Sequence, residues 1–388
     1  MIKDIFSADE LSGFYHQTFW DIRKKLNRRD FEKSGCVIYG AGNQGRLVAS
    51  SLRDAGIKPI CFIDQNPLLC GKKIDGMMVC QPSELDNYAS SYIVISSCHI
   101  RSILTNNKFL MDKKVVLWSA LSDFCSVLPI LPDKPEDILE NTETEEVYYL
   151  LEDEISRKIF HDFIKFQLNF SEELFHGEKS NGYFPNDINL NYKVFIDAGA
   201  ADGDTLRSWL KVVKTLPKKE LYYYAFEPNL FLFHKMSTYV STIEDKIKSK
   251  IKLYNLAIGE NDTLCKISNI GKSSSIEGNI NKNSHQDTDK NSDIIRIMRL
   301  DSLSLKRTPT FIKADIEGSE MSLLKGSKNT IHSIGSDLAI SVYHKYDDIW
   351  KVPLLIKQIN KNYRFYLRHA TQSLDDVILF ATCKRDEK

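Results

Sequence analysis

One stretch restricts this chain more than any other: VFIDAGAADGD, from Val194 to Asp204. An apolar run stops at an acid, crosses a turn of small residues and opens into TLRSWLKVV, which has helical spacing. This is a phosphate-free form of the Rossmann turn. Gly199 and Gly203, with Ala201 between them, let the backbone approach a ligand, and Asp197 sets a carboxylate at the strand end. A second strand, LYYYAFEPN, finishes in Glu227, at the separation where such folds hold an acid against ribose hydroxyls, with Asn229 just beyond it. A third, IKLYNLAIG, ends at Gly259, and a fourth, PTFIKADIEGSE, carries Asp315 and Glu317 to its end. Together they point to a nucleoside cofactor.

At 388 residues the chain is long enough for two domains. Its basic and acidic side chains cancel at 52 each, so no general field draws in nucleic acid or anionic lipid. The basic cluster Arg23 to Arg29 reads as a solvated helix end. The start, MIKDIFSADEL, lacks the features of an export signal, and no stretch approaches the roughly 20 apolar residues that span a bilayer. The eight cysteines show no CxxC and no zinc spacing. A cytoplasmic protein with reduced thiols is expected, with no nucleic-acid partner, no membrane span and an open question of homo-oligomerisation.

Along the chain, Ser7 to about Arg29 reads as a capped helix. CVIYGAGNQGR then gives a strand and glycine turn, LVASSLRDAG a helix, and KPICFIDQN a second strand. GKKIDGMMVCQPSEL is a short strand leading towards another helix, and SYIVISSC and KKVVLWSA complete a small parallel sheet. Leu131 to about Glu146 has the composition of a linker, and Val147, Leu151, Ile155, Ile159, Phe163 and Ile164 mark one face of a long helix. GKSSSIEGNINKNSHQDTDKNSD, Gly271 to Asp293, lacks an apolar period and reads as a mobile loop or hairpin insertion. The last two strands, YRFYLRHA and DDVILFAT, are joined too closely for a parallel crossover and should pair antiparallel. The expected class is therefore α/β with two Rossmann-like domains, at residues 1–130 and 191–388, joined by a linker and helical connector over 131–190.

FIDAGAADGDT, FEPN, NLAIGE, RLDSL, FIKADIEGSEMSLLKG and SVYHKYDD occur in that order. From about Leu150 to the C-terminus the chain resembles the FkbM family of S-adenosylmethionine-dependent methyltransferases, and YFPNDINL and YRFYLRHA are similar to members that modify sugars. The resemblance implies a class I methyltransferase sheet and methyl transfer to a hydroxyl of a sugar, nucleotide-sugar or glycan, in surface-polysaccharide or natural-product biosynthesis. It implies that Asp197, Gly199, Ala201 and Gly203 line the methionine side of the cofactor. Glu227 and Asn229 would serve the ribose, Asn255 and Ala257 would lie by the adenine, and Asp315 would meet the substrate or the cofactor amino group. The N-terminal unit resembles the Rossmann-like domain that precedes sugar acyltransferases, through IYGAGNQGR, CFIDQN and GKKIDG. There Gly40, Gly42, Asn43, Gln44 and Gly45 would face a nucleotide-sugar pyrophosphate and Asp64 its nucleoside. A domain kept only for packing is the alternative.

Methyl transfer needs an oxygen aligned with the carbon–sulfur bond, and a base for the hydroxyl proton. His344, at a strand end in SVYHK, is the first candidate for that base, with Asp315 and Glu317 as rivals. The same three side chains can be assembled into a divalent-ion site, but no spacing rule demands one and metal dependence is not favoured. Arg368 and His369 either face the acceptor or form a charged rim. Two rival functions differ in class. A nicotinamide-dependent sugar oxidoreductase or epimerase would use the first glycine turn, but no Tyr-x-x-x-Lys pair occurs. A non-catalytic nucleotide-sugar-binding protein would have no need of acids at every strand end.

Overall fold

The computed structural model describes residues 26–96, 103, 110, 113–121, 125, 132, 136–169, 182–268, 276–279, 292–370 and 376–383. They form two compact units, residues 1–145 with 161–176 and residues 146–160 with 177–388.

In the first unit, β1 (Cys36–Tyr39), β2 (Phe62–Ile63), β3 (Lys73–Ile74), β4 (Met77–Cys80), β5 (Tyr92–Ile95) and β6 (Val115–Leu117) form one sheet in the order β3-β4-β2-β1-β5-β6. Apart from the hairpin β3–β4, every pairing is parallel. Parallel strands are covered on both faces, which explains the unbroken apolar run of β1. Cys36 and Ile38 pack with Val48, Leu52 and Val94, while Val37 and Tyr39 pack with Ile63, Leu85 and Ile93. Helix Asn43–Asp54 starts directly from the glycine turn. GKKIDG is the hairpin turn, with Asp75 and Gly76 both at positive φ. Of the expected N-terminal helix, residues 7–25 lie outside the described residues; near its expected end a helix Arg28–Ser34 starts, capped by Asn27.

The second unit carries β7 (Val194–Ala198), β8 (Tyr222–Phe226), β9 (Ile251–Tyr254), β10 (Ala257–Ile258), β11 (Thr263–Ser268), β12 (Ile276–Asn279), β13 (Ser292–Met298), β14 (Phe311–Ala314), β15 (Asp337–Ser341), β16 (Tyr363–His369) and β17 (Val377–Cys383). Seven of these build the main sheet in the order β16-β17-β15-β14-β7-β8-β9, the plan of a class I methyltransferase. Pairings are parallel from β9 to β15, and β17 runs antiparallel to both β15 and β16. The order reverses beside β7, between β8 and β14, so the carboxyl ends of these strands border the crevice where open α/β sheets bind ligands. Phe195, Tyr223 and Phe311 pack at the centre, and the Phe195 ring stacks on both neighbours.

Two expectations need correction, and a third is met where the chain is described. IKLYNLAIG is not one strand. It breaks at Asn255–Leu256, and β10 joins a separate sheet, β10-β13-β11-β12. Within Gly271 to Asp293, residues 276–279 form β12, which pairs antiparallel with β11 as in the expected hairpin, and Ser292 begins β13; residues 269–275 and 280–291 lie outside the described residues. The acidic linker contains helices Glu136–Leu139 and Thr142–Leu150, and the long helix after it is interrupted before Glu154–Asn169. The interruption has a cause: the Glu152 amide bonds the Phe365 carbonyl at 3.0 Å, drawing the chain onto the edge of β16. Asp153 then restarts the helix by accepting from the Ser156 amide at 2.8 Å. Ile155 accordingly lies exposed rather than on the buried face.

Candidate active site

The glycine turn after β7 is held by its neighbours. An ideal Cβ on Gly199 would stand 1.9 Å from the Asp315 carbonyl, and its φ is +76°, so glycine is required here by the approach of β14 rather than by a ligand. Lys313, in the middle of FIKA and almost fully buried, reaches the same turn. Its Nζ donates to the Gly199 carbonyl at 2.6 Å and the Ala198 carbonyl at 3.2 Å, and lies 3.0 Å from Asp197 Oδ1. The Tyr223 hydroxyl donates to Asp197 Oδ2. Burial alone would strip the lysine of its proton, but Asp197 and Asp315 hold it on, above the ordinary lysine value. Asp197 is wholly buried and braces the turn from behind.

Glu227 ties two loops together. Its Oε2 accepts from the Ala201 amide at 2.9 Å and its Oε1 from the Asn229 amide at 2.8 Å. Burial raises its carboxyl above the ordinary value, and these two amides partly offset that. A carboxylate has about four lone-pair positions, so two remain for hydroxyl groups. Asn229 is committed to the helix Leu230–Ser241, capping the Phe231 and Leu232 amides at 3.1 Å. Asn255 Nδ2 bonds the Glu227 carbonyl at 2.8 Å and the Pro228 carbonyl at 3.1 Å, fixing the FEPN turn. Ala257 is buried and packs with Cys265, Ile295 and Ile297 inside the smaller sheet.

The other half of the crevice gathers Asp315, Glu317 and His344 as expected, and adds Glu320, Tyr183 and Tyr343. Tyr183 donates to Asp315 Oδ2 at 2.8 Å and Tyr343 to Oδ1 at 3.0 Å. His344 is 4% exposed; its Nε2 lies 3.5 Å from Asp315 Oδ1 and 3.8 Å from Glu317 Oε2, and its Nδ1 lies 2.9 Å from Glu320 Oε1. Burial would lower the imidazole pKa, but the surrounding carboxylates, Glu320 foremost, hold it up at about 10. An imidazole so held keeps its proton at neutral pH. This direction weighs against His344 as the resting general base. Asp315 is itself held below its ordinary value: burial pushes it up, and Lys313 and His344 more than compensate. Glu317, at φ +52° and outside the following helix, turns to His344, and Glu320 takes the first-turn position of that helix. Arg368 neither faces an acceptor nor forms a rim. It is buried, with Nη2 at 2.6 Å from both Asp153 and Asp187. His369 is likewise buried.

Lys313, Glu320, Tyr183 and Tyr343 were not singled out in the sequence. Lys313 had a readable signal, a cation inside a four-residue strand otherwise apolar. In the first unit the turn carries an analogous brace: Asp64 Oδ2 accepts from the Ala41 amide at 2.8 Å. Gly45 packs against the Gly40 carbonyl, and of the three turn glycines Gly42 alone faces open space.

Residues 197–370 match the family described as methyltransferase FkbM domain, and residues 32–119 match the family described as C2185-like, N-terminal. The second unit thus contains an FkbM methyltransferase domain. The match in the first unit is to a family separate from the methyltransferase one. The crystal structure of a methyltransferase FkbM from Methylobacillus flagellatus KT is 20% identical, with 97% of this chain and 96% of that chain covered and a TM-score of 0.66, and shows the same fold. A UDP-D-quinovosamine 4-dehydrogenase from Vibrio fischeri aligns with 27% of this chain and 84% of its own, at 17% identity and a TM-score of 0.20, too low to argue from. No curated protein matches the chain. Among the described residues no helix is long and apolar enough to cross a membrane.

The residues fit an adenosyl sulfonium donor. Glu227 offers free lone pairs to vicinal hydroxyls, and the Asp315 side chain, 30% exposed, is open to an ammonium or an acceptor.

Proposed function

We propose that this chain methylates a hydroxyl group of a sugar, nucleotide-sugar or glycan, with S-adenosylmethionine as donor. The observation that carries the reading is the pairing, on adjacent strand ends of one sheet, of a braced glycine turn with a half-open carboxylate cluster. When bound, the cofactor supplies an electrophilic methyl group on sulfur. Glu227 holds the ribose, and Asp197 and Lys313 keep the turn rigid from behind. Asp315 and Glu317 are the partly exposed carboxylates that orient an acceptor hydroxyl and receive its proton. His344 positions Asp315 and balances its charge. Carboxylates at a site mouth suit hydroxyl-rich acceptors, and the sequence resemblance to sugar-modifying members supports the same class.

The test is mass spectrometry of glycans and nucleotide-sugars from cells with and without the chain, paired with assays of the purified protein on the same acceptors. A product one methylene heavier, formed only with the cofactor, is the expected result. Transfer to nitrogen, or no transfer to any hydroxyl acceptor despite tight binding of S-adenosylhomocysteine, would reject the acceptor class. In the first unit, a thermal shift with a uridine nucleotide that Asp64→Ala abolishes would establish a nucleotide-sugar site. A nucleotide panel without any shift leaves that unit a packing role.

A further inference from the structure

The carboxylate cluster gathers three acids around one imidazole. Asp315, Glu317 and Glu320 all lie within 4 Å of one imidazole, and Glu320, wholly buried, has an Oε2 without a hydrogen-bond partner. Buried carboxylate oxygens without partners are rare in folded proteins. We propose that Asp315, Glu317 and His344 Nε2 bind a divalent, oxygen-preferring cation of the magnesium or manganese class, with Glu320 orienting the imidazole through Nδ1.

Three features favour a cation over a set of plain ion pairs. The first is spacing: neighbouring ligands on an octahedral magnesium-sized ion sit about 3 Å apart. His344 Nε2 is 3.5 Å from Asp315 Oδ1 and 3.8 Å from Glu317 Oε2, each within reach of an ion that Nε2 would share. The second is the outer shell. A metal-ligating histidine usually gives its other ring nitrogen to a carboxylate, which sets ring orientation. Glu320 stands 2.9 Å from Nδ1, and its Oε1 is itself fixed by the Ile316 amide at 2.9 Å. The two tyrosine hydroxyls on Asp315 give that carboxylate the same support. The third is access: Asp315 and Glu317 side chains are 30% and 34% exposed while His344 is 4% exposed. The ion would therefore meet protein on one side and water or an acceptor oxygen on the other. Two carboxylates and one imidazole favour magnesium or manganese over thiol-seeking metals. A cation at Nε2 takes the place of a proton there, so binding is favoured as pH rises. Use of the ion to acidify an acceptor hydroxyl rests on the methyltransferase reading; its binding does not.

The test uses the full chain, stripped with EDTA and dialysed, then titrated with manganese chloride while free Mn2+ is followed by electron paramagnetic resonance. One bound ion per chain is expected, with at least ten-fold weaker binding in Glu317→Gln and in Asp315→Asn. Glu317 is partly exposed, so its variant should retain the wild-type thermal midpoint, which is measured alongside. No uptake by the wild type up to about 1 mM Mn2+, a weak limit for protein carboxylate sites, would overturn the proposal. So would undiminished uptake in both variants. S-adenosylhomocysteine calorimetry, with and without EDTA, separates the two readings. Nucleoside binding without any Mn2+ uptake removes the cation site alone, and Mn2+ uptake without nucleoside binding removes the donor and keeps the cation.

Discussion

The two glycine turns of this chain use one device for different ends. After β1, Asp64 accepts from the Ala41 amide in the turn and from the Asn66 amide in its own loop, each at 2.8 Å. After β7, Glu227 does the same with Ala201 and Asn229. In both units the acid at the end of the second strand braces the backbone of the first turn. The difference lies in the strand on the other side. Ser96 follows β5 and donates to the Tyr39 carbonyl at 2.9 Å, a neutral filler. Lys313, Asp315 and the loop after β14 bring a buried cation and a cluster of acids. The turn alone therefore says little about chemistry, and the neighbouring strand decides it.

Substitutions can probe how far this parallel extends. The largest effect should come from Gly199→Ala, where the new Cβ meets the Asp315 carbonyl at a positive φ; a loss on the order of 5 kcal/mol is expected, read as failure of the unit to fold or as a collapsed denaturation midpoint. Gly42→Ala, in open space, should stay within about 0.5 kcal/mol of the wild type. Equal effects at the two positions would dissolve the contrast. Next in size is Lys313→Met, which leaves Asp197 buried beside apolar carbon; about 3 kcal/mol of stability should be lost in urea titration, together with S-adenosylhomocysteine affinity. A variant as stable as the wild type would show that the lysine is not the brace. Glu227→Ala should weaken S-adenosylhomocysteine roughly 10- to 100-fold by calorimetry, whereas Asp64→Ala should leave that titration unchanged.

The smallest effect is one of pH. The folded Glu227 carboxyl binds its proton more tightly than an unfolded one because burial disfavours its charge. Relative to Glu227→Gln, the wild type should lose stability as pH rises from the ordinary value of 4.5 through the raised one, and keep a constant difference below and above. Denaturation midpoints of the two proteins across this range check it; a slope of opposite sign would mean that the amide bonds outweigh burial.

Much of this was readable before any coordinates. Strand ends show in sequence because parallel strands are apolar throughout and stop at an acid, which located Asp197, Glu227 and Asp315. The antiparallel close of the sheet followed from a connection too short to cross over. What escaped was decided by contacts distant in sequence. Asp197 is at a strand end yet turned inward, since Tyr223 and Lys313 wait for it there. Asn229 was marked for a ligand but satisfies a helix start, and Arg368 joins segments more than 180 residues apart in the chain. The break after Tyr254 was hidden because NLAIG continues the apolar composition while its backbone leaves for another sheet.

The approach of Gly199 to the Asp315 carbonyl has an evolutionary corollary. Because that junction is main chain against main chain, the donor half and the acceptor half of the crevice share one hinge of atoms that no change of side chain can adjust. Drift in acceptor preference is thereby steered outward, to Glu317 and positions beyond it, while the seam itself stays frozen. Libraries built to broaden the substrate range would gain most by leaving 197–199 and 313–315 untouched.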